Sequence, residues 1–85
     1  MIVSINNDEK NLALDIYIKN NGYKSPQTCV IEAVNFYNYI NKNCSDEELK
    51  KIAKLLFLES NCKKSPDICL KEANIAYNYI NGLND

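Results

Sequence analysis

The sequence predicts an all-helical fold, four helices arranged as two tandem helical hairpins, and three observations carry that expectation. The stretch from Tyr23 to Asn41 returns forty positions later, with eleven of nineteen residues identical: Lys24, Ser25, Pro26, Cys29, Glu32, Ala33, Tyr37, Asn38, Tyr39, Ile40 and Asn41. Agreement at that density marks one supersecondary unit used twice, at about 8–41 and 48–81 of a single 85-residue domain. Each copy contains a Ser-Pro pair, Ser25-Pro26 and Ser65-Pro66. Such a pair suits a helix start, because serine caps and proline occupies a position whose N–H has no partner anyway. Behind each pair, apolar residues recur at helical spacing.

The elements follow in order. Met1 to Asn6 alternates, with Met1, Val3 and Ile5 on one side and Ile2, Ser4 and Asn6 on the other, the pattern of a short strand or an extended lead-in. A lone strand needs a partner, from another chain or from the helices. Asn7 is a candidate N-cap, with Asp8 and Glu9 where the helix dipole favours acids, opening a first helix over about 8–20. Its core stripe is Leu12, Ala13, Ile16 and Tyr17; Leu12, Leu14, Ile16 and Ile18 also alternate, but the cap and the second copy favour helix. Asn20-Asn21-Gly22 stops it, glycine being able to adopt the left-handed conformation. The second helix, about 26–42, presents Cys29, Val30, Ala33, Val34, Tyr37 and Ile40 as one stripe. Ser45-Asp46-Glu47-Glu48 reads as a capping box for the third, about 46–60. Leu49, Ile52, Ala53 and Leu56 form its stripe, which Leu55, Phe57 and Leu58 widen to nearly all sides. A helix that apolar is either central or covered by a partner. The fourth, about 66–82, repeats the face of the second with Cys69, Ala73, Ala76, Tyr77 and Ile80, and Gly82 closes it. Two such hairpins bury their repeated faces by stacking or as a four-helix bundle. Period and helix count resemble tetratricopeptide or Sel1-type repeats, without their glycine and tryptophan signatures.

Composition narrows the function classes. Hydrophobic content of 46% with 25% charged residues places the chain among globular proteins and not disordered ones. A net charge of −1 supplies no whole-molecule field toward nucleic acid or an anionic membrane. The longest apolar run, Leu55 to Leu58, is far short of the ~20 residues a transmembrane helix needs, so no membrane role is expected. Met1 to Lys10 lacks a basic start with an apolar run, which excludes a secretory signal and makes a cytoplasmic setting the expectation. Cys29, Cys44, Cys62 and Cys69 are then expected as free thiols; Cys62 and Cys69 would close a short disulfide loop only in an oxidising setting.

Chemistry is sparse. There is no histidine to work near neutral pH, no glycine-rich phosphate loop and no nucleophile motif, so no catalytic residue and no cofactor is expected. The cysteine spacing, without Cys-x-x-Cys, predicts no metal site. Cys29 and Cys69, equivalent in the two copies, are expected as small buried hydrophobes near each other across a pseudo-twofold axis. Glu32 and Glu72 are matched carboxylates beside the core stripe, expected to be solvated. Tyr39 and Tyr79 point ~200° away from Tyr37 and Tyr77, given ~3.6 residues per turn. With Asn38 and Asn78 they are candidates for paired contacts with a protein partner. Leu55, Phe57 and Leu58 either fill the bundle or form an exposed patch for a dimer or protein target.

The first half carries a further resemblance. Met1–Asn6, a helix over Asp8–Asn20, a glycine turn, and Lys24-Ser25-Pro26 leading to Val30-Ile31-Glu32-Ala33-Val34 and Tyr37 resemble the ribbon-helix-helix family of small DNA-binding repressors and antitoxins. The resemblance implies a dimer pairing residues 1–6, with Ile2, Ser4 and Asn6 facing the major groove and Lys24 and Ser25 contacting phosphate. It covers about half the chain, since no strand-like segment precedes the second copy. The leading expectation is therefore a small non-enzymatic helical protein-interaction module, a regulator or inhibitor such as a mobile element encodes. Its partner is another protein or a second copy of itself, and the candidate interface is Asn38, Tyr39, Asn78, Tyr79, Leu55 and Leu58. The alternative is a ribbon-helix-helix-like transcriptional regulator or antitoxin bound to nucleic acid.

Overall fold

A computed structural model describes residues 4–83 as α1 (Asn7–Lys19), α2 (Pro26–Asn43), α3 (Glu47–Glu59) and α4 (Pro66–Gly82). The starts of α1 and α3, of α2 and α4, and the ends of α1 and α3 all lie forty positions apart, the period of the sequence repeat. Residues 4–6 carry no strand, and the rest of the strand expected over 1–6 lies outside the described residues.

The caps show why each helix starts where it does. Asn6, rather than Asn7, caps α1: its side chain accepts from the Glu9 amide at 2.8 Å, and the Glu9 carboxylate accepts from the Asn6 amide at 3.1 Å. The capping box thus sits here and not at α3, where Asp46 alone accepts from the amides of Glu48 and Leu49. Ser25 accepts from the Thr28 amide at 3.2 Å, whereas Ser65 donates its hydroxyl to Asp67 and leaves its helix without a side-chain cap. Both hairpin turns are Schellman motifs. After α1, the Gly22 amide donates to the Tyr17 carbonyl and the Asn21 amide to the Ile18 carbonyl; after α3, Cys62 and Asn61 donate to Phe57 and Leu58 in the same way. The left-handed residues are Asn21 (φ 53°) with Gly22 (φ 79°), and Asn61 (φ 58°) with Cys62 (φ 65°).

Within each hairpin the two helices pack closely on each other; between hairpins α1 lies beside α3 and α2 beside α4. The ion pairs Asp15–Lys54 and Lys19–Glu59, both 3.8 Å, advance in the same direction along α1 and α3. The two helices are therefore parallel, and the second hairpin stacks on the first in the same sense, as in a helical-repeat protein. The molecule measures 50 × 24 × 17 Å.

The core follows from that stack. In the first copy Leu12, Ala13, Ile16, Cys29, Ala33, Phe36, Tyr37 and Ile40 are buried; in the second only Ala53, Phe57, Cys69, Leu70 and Ala73 are. Phe36 and Phe57 join the copies, with ring centroids 4.8 Å apart. Several residues expected in the core are not fully buried: in α4 Ala76 is exposed, Tyr77 half-buried and Ile80 59% exposed, while Val30, Val34, Leu49, Ile52 and Leu56 of the other stripes are only partly buried. In α4 the reason is positional. The α2 face bearing Phe36 and Ile40 is covered by the second hairpin, and among the described residues no hairpin covers the same face of α4. Tyr17, expected on the α1 stripe, lies 40% exposed at the opposite end for the same reason.

Candidate functional site

The repeat junction is the reference for the free surfaces. It is formed by α1 against α3 and α2 against α4, with Asp15, Lys19 and Phe36 of the first copy meeting Lys54, Glu59 and Phe57 of the second, and Ile40 fully buried. Moving each position by forty residues locates the same surfaces at the two ends of the stack. At the far end, Leu55, Ala76 and Ile80 stand where Asp15, Phe36 and Ile40 stand in the junction. At the near end, Leu14, Tyr17 and Ile18 stand where Lys54, Phe57 and Leu58 do. Among these end residues Leu55 is 54% exposed, Leu14 51% and Ile18 70%. The two positions that form a junction ion pair are thus both leucine at the free ends. Beside the near-end residues, an apolar groove of about 240 Å³ runs between α1 and α2, lined by Ala13, Leu14, Tyr17, Pro26, Cys29 and Val30.

A second surface feature is polar. Asp8, Tyr37, Asn41, Glu47, Lys50, Lys51 and Lys54 line a cleft of about 160 Å³ between the N-terminus of α1, the C-terminal half of α2 and α3. Burial raises the Tyr37 pKa above that of an ordinary tyrosine, and Asp8, Glu47, Asp15 and Glu9 add to the rise by opposing a phenolate. Lys50 and Lys54 pair with Glu47 and Asp15, so most of the cleft's positive charge is already answered within the chain. Such a cleft offers an anion little net attraction.

Glu32 and Glu72, expected to be solvated, each hold a turn lysine instead. Lys24 Nζ donates to both Glu32 oxygens at 2.9 and 3.0 Å, and Lys64 Nζ donates to Glu72 at 2.8 Å. These pairs tie each hairpin turn to the helix that follows, a contact the exact +40 match of Lys24 and Glu32 would have revealed had the two positions been read together. Burial works against the Lys24 charge, yet the hydrogen bond to Glu32 carries its pKa above the usual lysine value. The four cysteines are free thiols, and Cys29 and Cys69 are buried as expected. The cysteine sharing the electrostatic surroundings of Cys29 is Cys62, which the turn after α3 places against Glu32 and Lys24. Burial, reinforced by Glu32, pushes the Cys62 pKa up to about 11.

The expected interface residues fall into two groups. Asn38, Asn78, Tyr79 (70% exposed) and Leu55 face solvent, while Tyr39 and Leu58 pack partly against the core. Tyr39 and Tyr79 therefore form no matched pair: one is packed, the other free at the far end. Among the residues that the ribbon-helix-helix resemblance assigns to DNA, Ile2 lies outside the described residues and Ser4 is exposed. Asn6 caps α1, Ser25 caps α2, and Lys24 is bound to Glu32. Sequence reasoning missed Leu14, Ile18 and Ile80 as exposed apolar residues. For Leu14 the signal lay in a difference between the copies, Leu14 against Lys54, whereas Ile18 against Leu58 and Ile80 against an identical Ile40 carried none. No helix among the described residues is long and apolar enough to cross a membrane. Compared with protein-family models, with curated proteins and with solved structures, the chain matches none.

Proposed function

We propose that this chain is a small non-enzymatic protein-interaction module that binds another protein through the apolar ends of its stacked repeat, and so acts as a regulator or inhibitor does, by occupying a surface. One observation carries the reading: positions equivalent to those in the junction recur at both ends with apolar side chains exposed, among them Leu55 and Leu14 where the junction has the Asp15–Lys54 ion pair. A surface already shaped to pack on a helical hairpin, and left uncovered, is suited to another protein.

The test is affinity capture from native-host extract with the chain immobilised, beside two far-end variants, Tyr79→Ala and Ile80→Lys, and the lateral variant Lys71→Ala. A captured protein should be lost with the far-end variants and retained with Lys71→Ala, all three keeping the parent melting temperature. Capture of the same proteins by all four forms would overturn the reading.

A further inference from the structure

We propose that the occupant of these ends is a second copy of this chain, stacked head to tail, so that Leu55, Ala76 and Ile80 of one copy seat on Leu14, Tyr17 and Ile18 of the next. The inference rests on the interaction-module reading and deepens it by naming the partner.

The repeat junction is the template, because applying its stacking operation once more brings the far end of one chain onto the near end of another. Each junction contact then has a counterpart of compatible chemistry. Asp15 meets Lys54 at 3.8 Å inside the chain, and between chains the equivalent positions bring Leu55 to Leu14, an apolar pair in place of an ionic one. Phe36 meets Phe57 with ring centroids 4.8 Å apart, and between chains Ala76 meets Tyr17, where the small residue leaves room for the ring. Lys19 pairs with Glu59 inside the chain, and between chains Glu59 meets Lys19, opposite charges again with the order reversed. Ile40 is fully buried in the first copy, and stacking would bury Ile80 in the same manner. Five substitutions between the copies thus preserve complementarity across the intermolecular contact, including the paired change from Asp15 and Lys54 to two leucines.

A head-to-tail contact uses different surfaces on the two partners, so it propagates unless one surface is blocked. That property supplies the test, in sedimentation velocity on the purified full chain. The parent chain should show mass rising with concentration beyond the dimer. Ile80→Lys blocks the far end and Ile18→Lys the near end; both positions are largely exposed, so melting temperatures should stay at the parent value. Each variant alone should associate at least about tenfold more weakly, because a lysine must be desolvated in an apolar contact. Mixed in equal amounts, the two should form a complex of one chain each that grows no further, since each supplies the surface the other lacks. A parent chain that stays monomeric up to about 1 mM overturns the proposal, as does either variant alone associating as tightly as the parent, or a mixture that remains monomeric. If the parent chain is monomeric while Ile80→Lys loses a captured protein, self-stacking fails and the interaction-module reading stands. If capture is also unaffected, both fail.

Discussion

The two copies of the repeat share their helix starts, their Schellman turns and their lysine–glutamate ties, yet they bury different things. Ile40 is fully buried and Ile80 is 59% exposed, although the five residues around each (Tyr-Asn-Tyr-Ile-Asn) are identical. Burial in a stacked repeat is set by the neighbour and not by the local sequence. The first copy has a neighbour on its far side and contributes most of the core; the second copy has none there among the described residues and keeps Leu55 and Ile80 exposed.

Matched substitutions sharpen that comparison, and the largest effect belongs to the isoleucines. Ile40→Ala should cost about 2–5 kcal/mol through the cavity left behind, lowering the melting temperature by ~4–8 °C per kcal/mol. Ile80→Ala in dilute solution should stay within ~0.5 kcal/mol. Urea denaturation of both measures the difference, and equal losses would mean that the far end of α4 is covered after all.

The turns come next. Gly22→Ala should destabilise by about 1–2 kcal/mol, because its φ of 79° disfavours a side chain and the new Cβ would stand 3.2 Å from the Tyr17 hydroxyl. Cys62→Gly relieves the same backbone conformation but removes a half-buried thiol, so its effect on the urea midpoint should be the smaller of the two.

Alkaline pH separates the copies again. Burial first, and then Glu32, raises Cys62 from 9.0 to about 11, so the fold favours the neutral thiol. The unfolded thiol ionises near 9.0, which makes this stability complete below pH 9 and lost as pH rises toward 11. Cys29, Cys69 and Tyr37, all raised by burial, act in the same direction, as does Lys24, whose contribution is lost above its ordinary 10.5. Melting temperature should therefore fall between pH 9 and 11, and Cys62→Ala should fall less steeply than the parent. An identical slope would show that the thiol is not shielded by its turn.

The smallest effect is expected at the carboxylates. The Lys24 and Glu32 side chains are 24% and 28% exposed, against 43% for each of Lys64 and Glu72. Glu32→Gln should cost up to about 1 kcal/mol, at the upper end for an ion pair of limited exposure. Glu72→Gln should move the melting temperature less, since water screens its pair more fully.

Much of the fold was legible in the sequence. The +40 identities marked the repeat, Ser25-Pro26 and Ser65-Pro66 marked the starts of α2 and α4, and four of the six residues of the expected α2 stripe, Cys29, Ala33, Tyr37 and Ile40, are buried, with Val30 and Val34 only partly so and Phe36 buried beside them. Propensity, capping and periodicity act over a few residues, so a single chain segment carries them. Misplacing the first cap by one residue, at Asn7 instead of Asn6, is a local error that the adjacent asparagines invite.

The candidate interface was only partly legible. Tyr39 and Tyr79 read alike because their surroundings are alike, and only the stack packs the first and leaves the second free. Leu14 and Ile18 looked like ordinary members of an apolar helix until α3 was found to run parallel to α1, which turned Lys54 and Leu58 into their counterparts.

By itself, then, the sequence determined four helices, their period and the residues able to enter a core, because those follow from bonds and contacts within a few turns of chain. The tertiary structure alone decided which of two equivalent faces is covered, because covering a face requires a neighbour, and among the described residues the second copy has none on its far side.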